Sequence, residues 1–224
     1  MHIGLIGGIG PAATDLYYRG LIDAMKAQGK ELDLTIVHAD APTLVHNFEA
    51  RQPDVQAQIF LGLARRLVDA GAEAIAITSI GGHFCIDQFR ALSPLPIFDL
   101  IEEMDRSIQE RGLRIVGLLG TDTVMETRFY GGISSAEILV PDSRMIAEVH
   151  RSYVDVALSA KVNDAQRQLF FSVGRELADR GAETVLLGGT DLFLAFEGET
   201  PGFDTLDCAG IHINAIAREA SRSN

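Results

Sequence analysis

Apolar residues fall into two alternating kinds of run along this sequence. Short runs at residues 3–6, 34–37, 74–78, 97–98, 115–119, 138–140 and 184–187 have the length of buried strands. Between them lie segments with helical spacing. Ala13, Leu16, Tyr17, Leu21 and Ala24 recur on one face after Pro11, which suits a first helical position. Further helices are predicted at 55–70, 83–91, 100–111, 121–130, 143–160, 163–180 and 208–220, with Gly71 and Gly112 closing two of them. Residues 38–51 lack a clear period and contain Pro42, so they predict a loop over the strand ends; 198–205 predict another loop. Strands alternating with helices predict an α/β fold, with parallel sheets flanked by helices on both faces.

The pattern repeats. GAETVLLGGTD, from Gly181, echoes GAEAIAITSIGG, which begins 110 residues earlier at Gly71. In that alignment Phe60 falls on Phe170, Arg65 on Arg175, Leu67 on Leu177, Asp69 on Asp179 and Ser79 on Gly189. IGLIGG from Ile3 matches VGLLGT from Val116, at an offset of 113. A repeat at nearly one offset predicts two similar halves, residues 1–98 and 99–206, with a closing helix at 207–222 that returns to the first. Ligands of open α/β sheets bind beyond the carboxyl ends of strands. Ser79 and Gly189 are therefore expected on opposite walls of a cleft between the halves.

Composition narrows the function. The chain has 224 residues, is 47% hydrophobic and carries a net charge of −12. That charge argues against non-specific nucleic-acid binding, which needs a basic footprint. No apolar run approaches the roughly 18 residues of a membrane span, and the chain opens on a strand rather than a signal peptide. Two cysteines, Cys85 and Cys208, form neither a disulfide framework nor a metal motif. His38, His46 and His212 lack metal-ligand spacing. A cytoplasmic protein is expected.

Several stretches together carry a family resemblance: IGLIGGIGP at the start, GAEAIAITSIGGH, LLGTDTVMETRFY, GAETVLLGGTDL and the tail FDTLDCAGIHINAIA. The chain resembles the aspartate/glutamate racemases over almost its whole length. That resemblance implies two pseudo-symmetric α/β domains around a cleft, a small amino acid or dicarboxylate as substrate, no metal or pyridoxal phosphate, and a possible homodimer. It also implies one catalytic cysteine per half, in motifs similar to C-N-T-x-H and G-C-T-E. Here Ser79-Ile80-Gly81-Gly82-His83 and Gly188-Gly189-Thr190-Asp191 stand in their place, so both thiols are missing. The resemblance puts His46 and Asn47 near a substrate carboxylate, Gly81 in the altered first motif, and Lys161 and Arg167 where the family has basic residues.

Chemistry limits what these replacements can do. A thiol has a pKa of about 8.5 and can be acidified further, whereas an unassisted serine is far harder to ionise, and Gly189 offers no side chain. Proton transfer between two thiols is therefore not possible as written. Ser79, His83, Thr190 and Asp191 remain as candidates for a one-base isomerisation, elimination or decarboxylation. The alternative is a non-catalytic binder of amino acids or carboxylates. Each residue also has a plainer role. Ser79 can cap a strand end, and His83 can be structural or an acid–base group. Thr190 and Asp191 can cap a helix or hold an ammonium. Gly7, Gly8 and Gly10 form either a turn or an N–H cradle for a carboxylate. Thr121 and Thr127 open the matching helix of the second half, as cap or as ligand. Lys161 and Arg167 can be surface ion-pair formers. Cys85 packs in the core unless a helix N-terminus acidifies it. Tyr17, Tyr130 and Tyr153 lie on amphipathic helices, as core or interface residues.

Overall fold

A computed structural model describes residues 1–222. Its strands are β1 (His2–Gly7), β2 (Asp33–His38), β3 (Ala74–Ile77), β4 (Ile97–Phe98), β5 (Ile115–Gly120), β6 (Glu137–Leu139), β7 (Thr184–Gly188) and β8 (Thr205–Asp207). The helices are α1 (Pro11–Ala27), α2 (Ala41–Glu49), α3 (Pro53–Asp69), α4 (Ile86–Leu92), α5 (Leu100–Glu110), α6 (Asp122–Glu126), α7 (Ser143–Ser159), α8 (Asp164–Asp179), α9 (Phe193–Phe196) and α10 (Cys208–Arg222). A 3₁₀ turn, Gly81–Cys85, precedes α4.

Two four-stranded sheets form, in the orders β2-β1-β3-β4 and β6-β5-β7-β8, and every pairing is parallel. The chain divides into two compact units, Met1–Leu100 with the segment from His212 onward, and Ile101–Ile211. The central strands are apolar and buried, as covered parallel sheets require.

The repeated GAE has a structural cause. Gly71 and Gly181 turn the chain out of α3 and α8 at φ 89° and 104°, a region other residues rarely enter. Ala72 and Ala182 are then buried. The glutamates close the unit. Glu73 accepts the His2 N–H at 2.6 Å, and Glu183 accepts the Arg114 N–H at 2.7 Å, so each ties the next strand to the start of its sheet's central strand. Close helix–sheet packing recurs too. A Cβ on Gly4 would lie 2.8 Å from Leu67, and one on Gly117 would lie 3.0 Å from Leu177.

Three elements differ from the sequence reading. Residues 38–51 are not a loop, because α2 lies within them. Pro42 sits in its first turn, where no N–H is required, and Asp40 caps it by accepting the Thr43 N–H at 2.9 Å. The predicted helix at 121–130 stops at Glu126. Arg128, Phe129, Tyr130 and Gly131 follow at φ 53°, 61°, 57° and 71°, a left-handed turn that costs non-glycine residues about 1–2 kcal/mol each. The fully buried Phe129 ring, packed near Gly188, holds that turn in place. Residues 205–207 form β8 rather than only the end of a loop.

Histidine chemistry anchors α10 in the first unit. The Tyr17 hydroxyl donates to His212 Nδ1 at 2.8 Å, and His212 Nε2–H donates to the Phe98 carbonyl at 3.0 Å. Burial, reinforced by nearby His83, pushes the His212 pKa down to about 3. Among the described residues no helix is long and apolar enough to cross a membrane.

Candidate active site

The carboxyl end of β3 leads directly into Ser79, which is 7% exposed. No hydrogen bond of its hydroxyl is present among the described residues. Its carbonyl is engaged instead, accepting from His83 Nδ1 at 2.8 Å and from the Gly82 N–H at 3.2 Å. His83 Nε2 in turn accepts the Leu100 N–H at 3.3 Å. These partners dictate the neutral Nδ1–H tautomer. Burial lowers the His83 pKa, against the opposing pull of Asp99, whose Oδ1 lies 4.0 Å from Nε2. Asp99 is also ion-paired with Arg90. His83 thus holds the Ser79 backbone, with both ring nitrogens occupied. Gly81 faces Ser79, since a Cβ there would lie 3.5 Å from Ser79 Oγ.

The first-half glycine turn is largely self-satisfied. The Gly8 N–H donates to Thr14 Oγ1 at 2.9 Å, and the Thr14 hydroxyl also bonds the Gly10 carbonyl at 3.1 Å. Thr14 spends a donor that the cradle would need, and its helical position gave no warning of this. His46 is exposed on α2, while Asn47 is buried and donates to Gln56 Oε1 at 2.9 Å. The neighbours His46 and Asn47 therefore point into different surroundings.

In the second unit β7 ends at Gly188, and Gly189, Thr190 and Asp191 follow. Thr190 is fully buried and Asp191 is 2% exposed. Among the described residues Thr190 Oγ1 has no hydrogen-bond partner, a state that costs about 1–3 kcal/mol when water is excluded. The phenol of Tyr153, on α7, lies beside this strand end. A Cβ on Gly189 would be 2.5 Å from its Cε2, 2.6 Å from its Cζ and 2.9 Å from its hydroxyl. Burial first, then the charge of Asp191, pushes the Tyr153 pKa well above its usual value; the Asp191 N–H and the Thr190 hydroxyl act in the other direction. The phenol lies close to the Thr190 hydroxyl without forming a well-aligned hydrogen bond to it.

The remaining candidates are spent locally or stand exposed. Thr121 caps α6 by accepting the Val124 N–H at 3.2 Å. Thr127 donates to the Thr123 carbonyl at 2.6 Å and accepts the Tyr130 N–H at 2.9 Å. Lys161 is exposed in the turn after α7. Arg167 pairs with Asp164 at 3.6 Å and Glu199 at 3.3 Å. Cys85 and Cys208 are both buried; burial raises the Cys85 thiol to about 12 and drives Cys208 well above its usual range. Neither is acidified. A surface hollow bounded by Leu113, Glu183, Thr184, Asp204 and Thr205 lies at the amino ends of β5, β7 and β8, the wrong end for a ligand of a parallel sheet.

The family model for Asp/Glu/Hydantoin racemase matches residues 6–216. The chain belongs to that family. Solved racemase structures share its fold. A Yersinia pestis protein assigned to the Asp/Glu racemases is 26% identical, with 99% of this chain and 100% of that chain covered at a TM-score of 0.87. An aspartate racemase homologue from Pyrococcus horikoshii is also 26% identical, over 98% of this chain and 99% of that one, at 0.80. Aspartate racemase from Picrophilus torridus has 17% identity and a TM-score of 0.81 over 99% and 95% of the two chains, a likeness of fold. The sequence pattern put Ser79, Gly189, Thr190 and Asp191 at strand ends, but it did not disclose that the Tyr153 ring lies over Gly189. Its helical period marked a buried face; nothing in it named the glycine beneath the ring.

Proposed function

We propose that this racemase-family chain acts on a small amino acid or dicarboxylate without a cofactor and without a pair of thiols. The observation that carries the proposal is the buried, unpartnered Thr190 hydroxyl beside the Asp191 carboxylate at the end of β7. A buried polar group without a partner marks a place where a ligand completes the bonding. Asp191 attracts a substrate ammonium and Thr190 orients it. At the equivalent strand end of the first unit, His83 fixes the Ser79 backbone through the carbonyl. Support also comes from the family match across residues 6–216. The racemases' two-cysteine chemistry is not assigned, because Ser79 and Gly189 lack thiols and Cys85 and Cys208 are buried and protonated. The test is α-proton exchange in D₂O with both enantiomers of aspartate and glutamate, followed by NMR. Exchange is expected. No exchange with any of the four overturns the enzymatic assignment.

A second reading, a binder without turnover, is favoured by one observation: His83 uses both ring nitrogens on the backbone, so Ser79 has no neighbouring histidine base. Thermal stabilisation by these amino acids with no exchange would select it, since a ligand that binds only the folded state raises its stability.

A further inference from the structure

Gly189 follows β7 with a bare backbone, but the space above it is filled. The Tyr153 ring, arriving from α7, occupies the volume that a side chain at position 189 would need, and the closest ring carbon would lie 2.5 Å from a Cβ built there. Replacement of a single atom would therefore collide with a buried aromatic ring, which can yield only by leaving its own packing. The phenol oxygen sits at 2.9 Å from the same point, which places a hydroxyl where residue 189 would otherwise present its own functional group. The group beside it, Thr190 Oγ1, is buried with no partner. Two adjacent hydroxyls, one of them unsatisfied, and an acidic neighbour make a polar corner in an otherwise apolar strand end.

We propose that Tyr153 is a substrate-binding residue of the second half, its phenol donating a hydrogen bond to a carboxylate oxygen of the ligand beside Thr190. The proposal rests on the reading of this strand end as a small-acid site. Burial keeps the phenol protonated, so it serves as a donor and not as a base. The phenol oxygen accepts the Asp191 N–H, which leaves its O–H to donate to a third group. A neutral donor suits a carboxylate in a corner where Asp191 and Thr190 hold the ammonium. Gly189 then has a definite requirement: it is the only residue type that leaves room for the ring.

Two sets of variants test this. Tyr153→Phe keeps the ring and removes only the hydroxyl. Against the enantiomers of aspartate and glutamate, by isothermal calorimetry, it should weaken binding by about ten- to a hundredfold, the loss of one hydrogen bond to a charged group. Its thermal midpoint without ligand should stay near that of the parent. Gly189→Ala should lower that midpoint, and Tyr153→Ala in the same chain should recover part of the loss, because the removed ring makes room for the methyl. Equal affinity of the parent and Tyr153→Phe overturns this inference and leaves the small-acid site standing. A parent protein that binds none of the four amino acids overturns both. A neutral Gly189→Ala shows that the ring does not stand over that position and overturns the inference on its own.

Discussion

His212 carries a pH dependence that its sequence position conceals. It sits fully buried between the Tyr17 hydroxyl and the Phe98 carbonyl, and its folded pKa lies at about 3 against an ordinary 6.5. The unfolded chain therefore takes up a proton as pH falls below 6.5 while the folded chain does not. Stability is lost across the window from about 6.5 down to about 3, at up to about 1.4 kcal/mol per pH unit from this group. His83, also lowered by burial, acts in the same direction. Asp207 opposes them: its folded pKa is raised to about 6 from 3.8, so it gains folded-state protons, and stability, as pH falls through that narrower range. Thermal melts from pH 7 to pH 4 should show a falling midpoint, and His212→Gln should flatten the slope while lowering stability at pH 7. The two histidines also show what one sequence can and cannot disclose. His83 was recognisable as a residue of the strand-end motif. That its nitrogens bond the carbonyl of Ser79 and the N–H of Leu100 depends on how β4 and α5 pass the turn, which no local spacing records. Tyr153 and Thr14 were hidden for the same reason.

Elements tell a different story, because their causes are local. The seven strand runs and the long helices were visible as apolar periodicity, and Gly71 and Gly112 marked helix ends correctly. α2 was missed because Pro42 reads as a breaker unless Asp40 is recognised as its cap. The truncation of α6 was missed because nothing in TRFY itself favours left-handed backbone; the burial of Phe129 imposes it. The helix–sheet contact at Gly4 and Gly117 gives a quantitative expectation. Gly117→Ala would put a methyl 3.0 Å from the Leu177 Cβ, from a buried position of β5, and should cost about 1–3 kcal/mol in urea unfolding. Gly4→Ala meets only the flexible end of Leu67, at 2.8 Å, and should cost less. Equal losses would show that the backbone, and not the side chain, takes up the strain in both places.

Across the whole chain, the repeat at offsets of 110 and 113 foretold two sheets, and their identical strand orders follow from it. Register and order could not be read from any single strand, since continuous apolar runs carry no face preference. The closing helix is the long-range feature with the largest consequence. Its later residues, His212, Ile213, Ile216, Ala217 and Ala220, are buried in the first unit. Burying each isoleucine contributes about 1.5–3 kcal/mol, a large share of a total stability of about 5–15 kcal/mol. A chain ending at residue 207 should therefore lose hydrogen-exchange protection in β1 and α1; retained protection there would show that the first unit folds without α10.

Because that helix supplies the missing wall of the opening hundred residues, the order of birth on the ribosome runs against the order of completion. The first unit emerges first yet must wait, its Tyr17 and Gly20 face uncovered, until every residue of the second has been translated and the last turns have cleared the exit tunnel. During that interval nascent β1 and α1 keep an apolar face open to solvent, and slowing elongation late in the message should lengthen its exposure, read as added cleavage by protease.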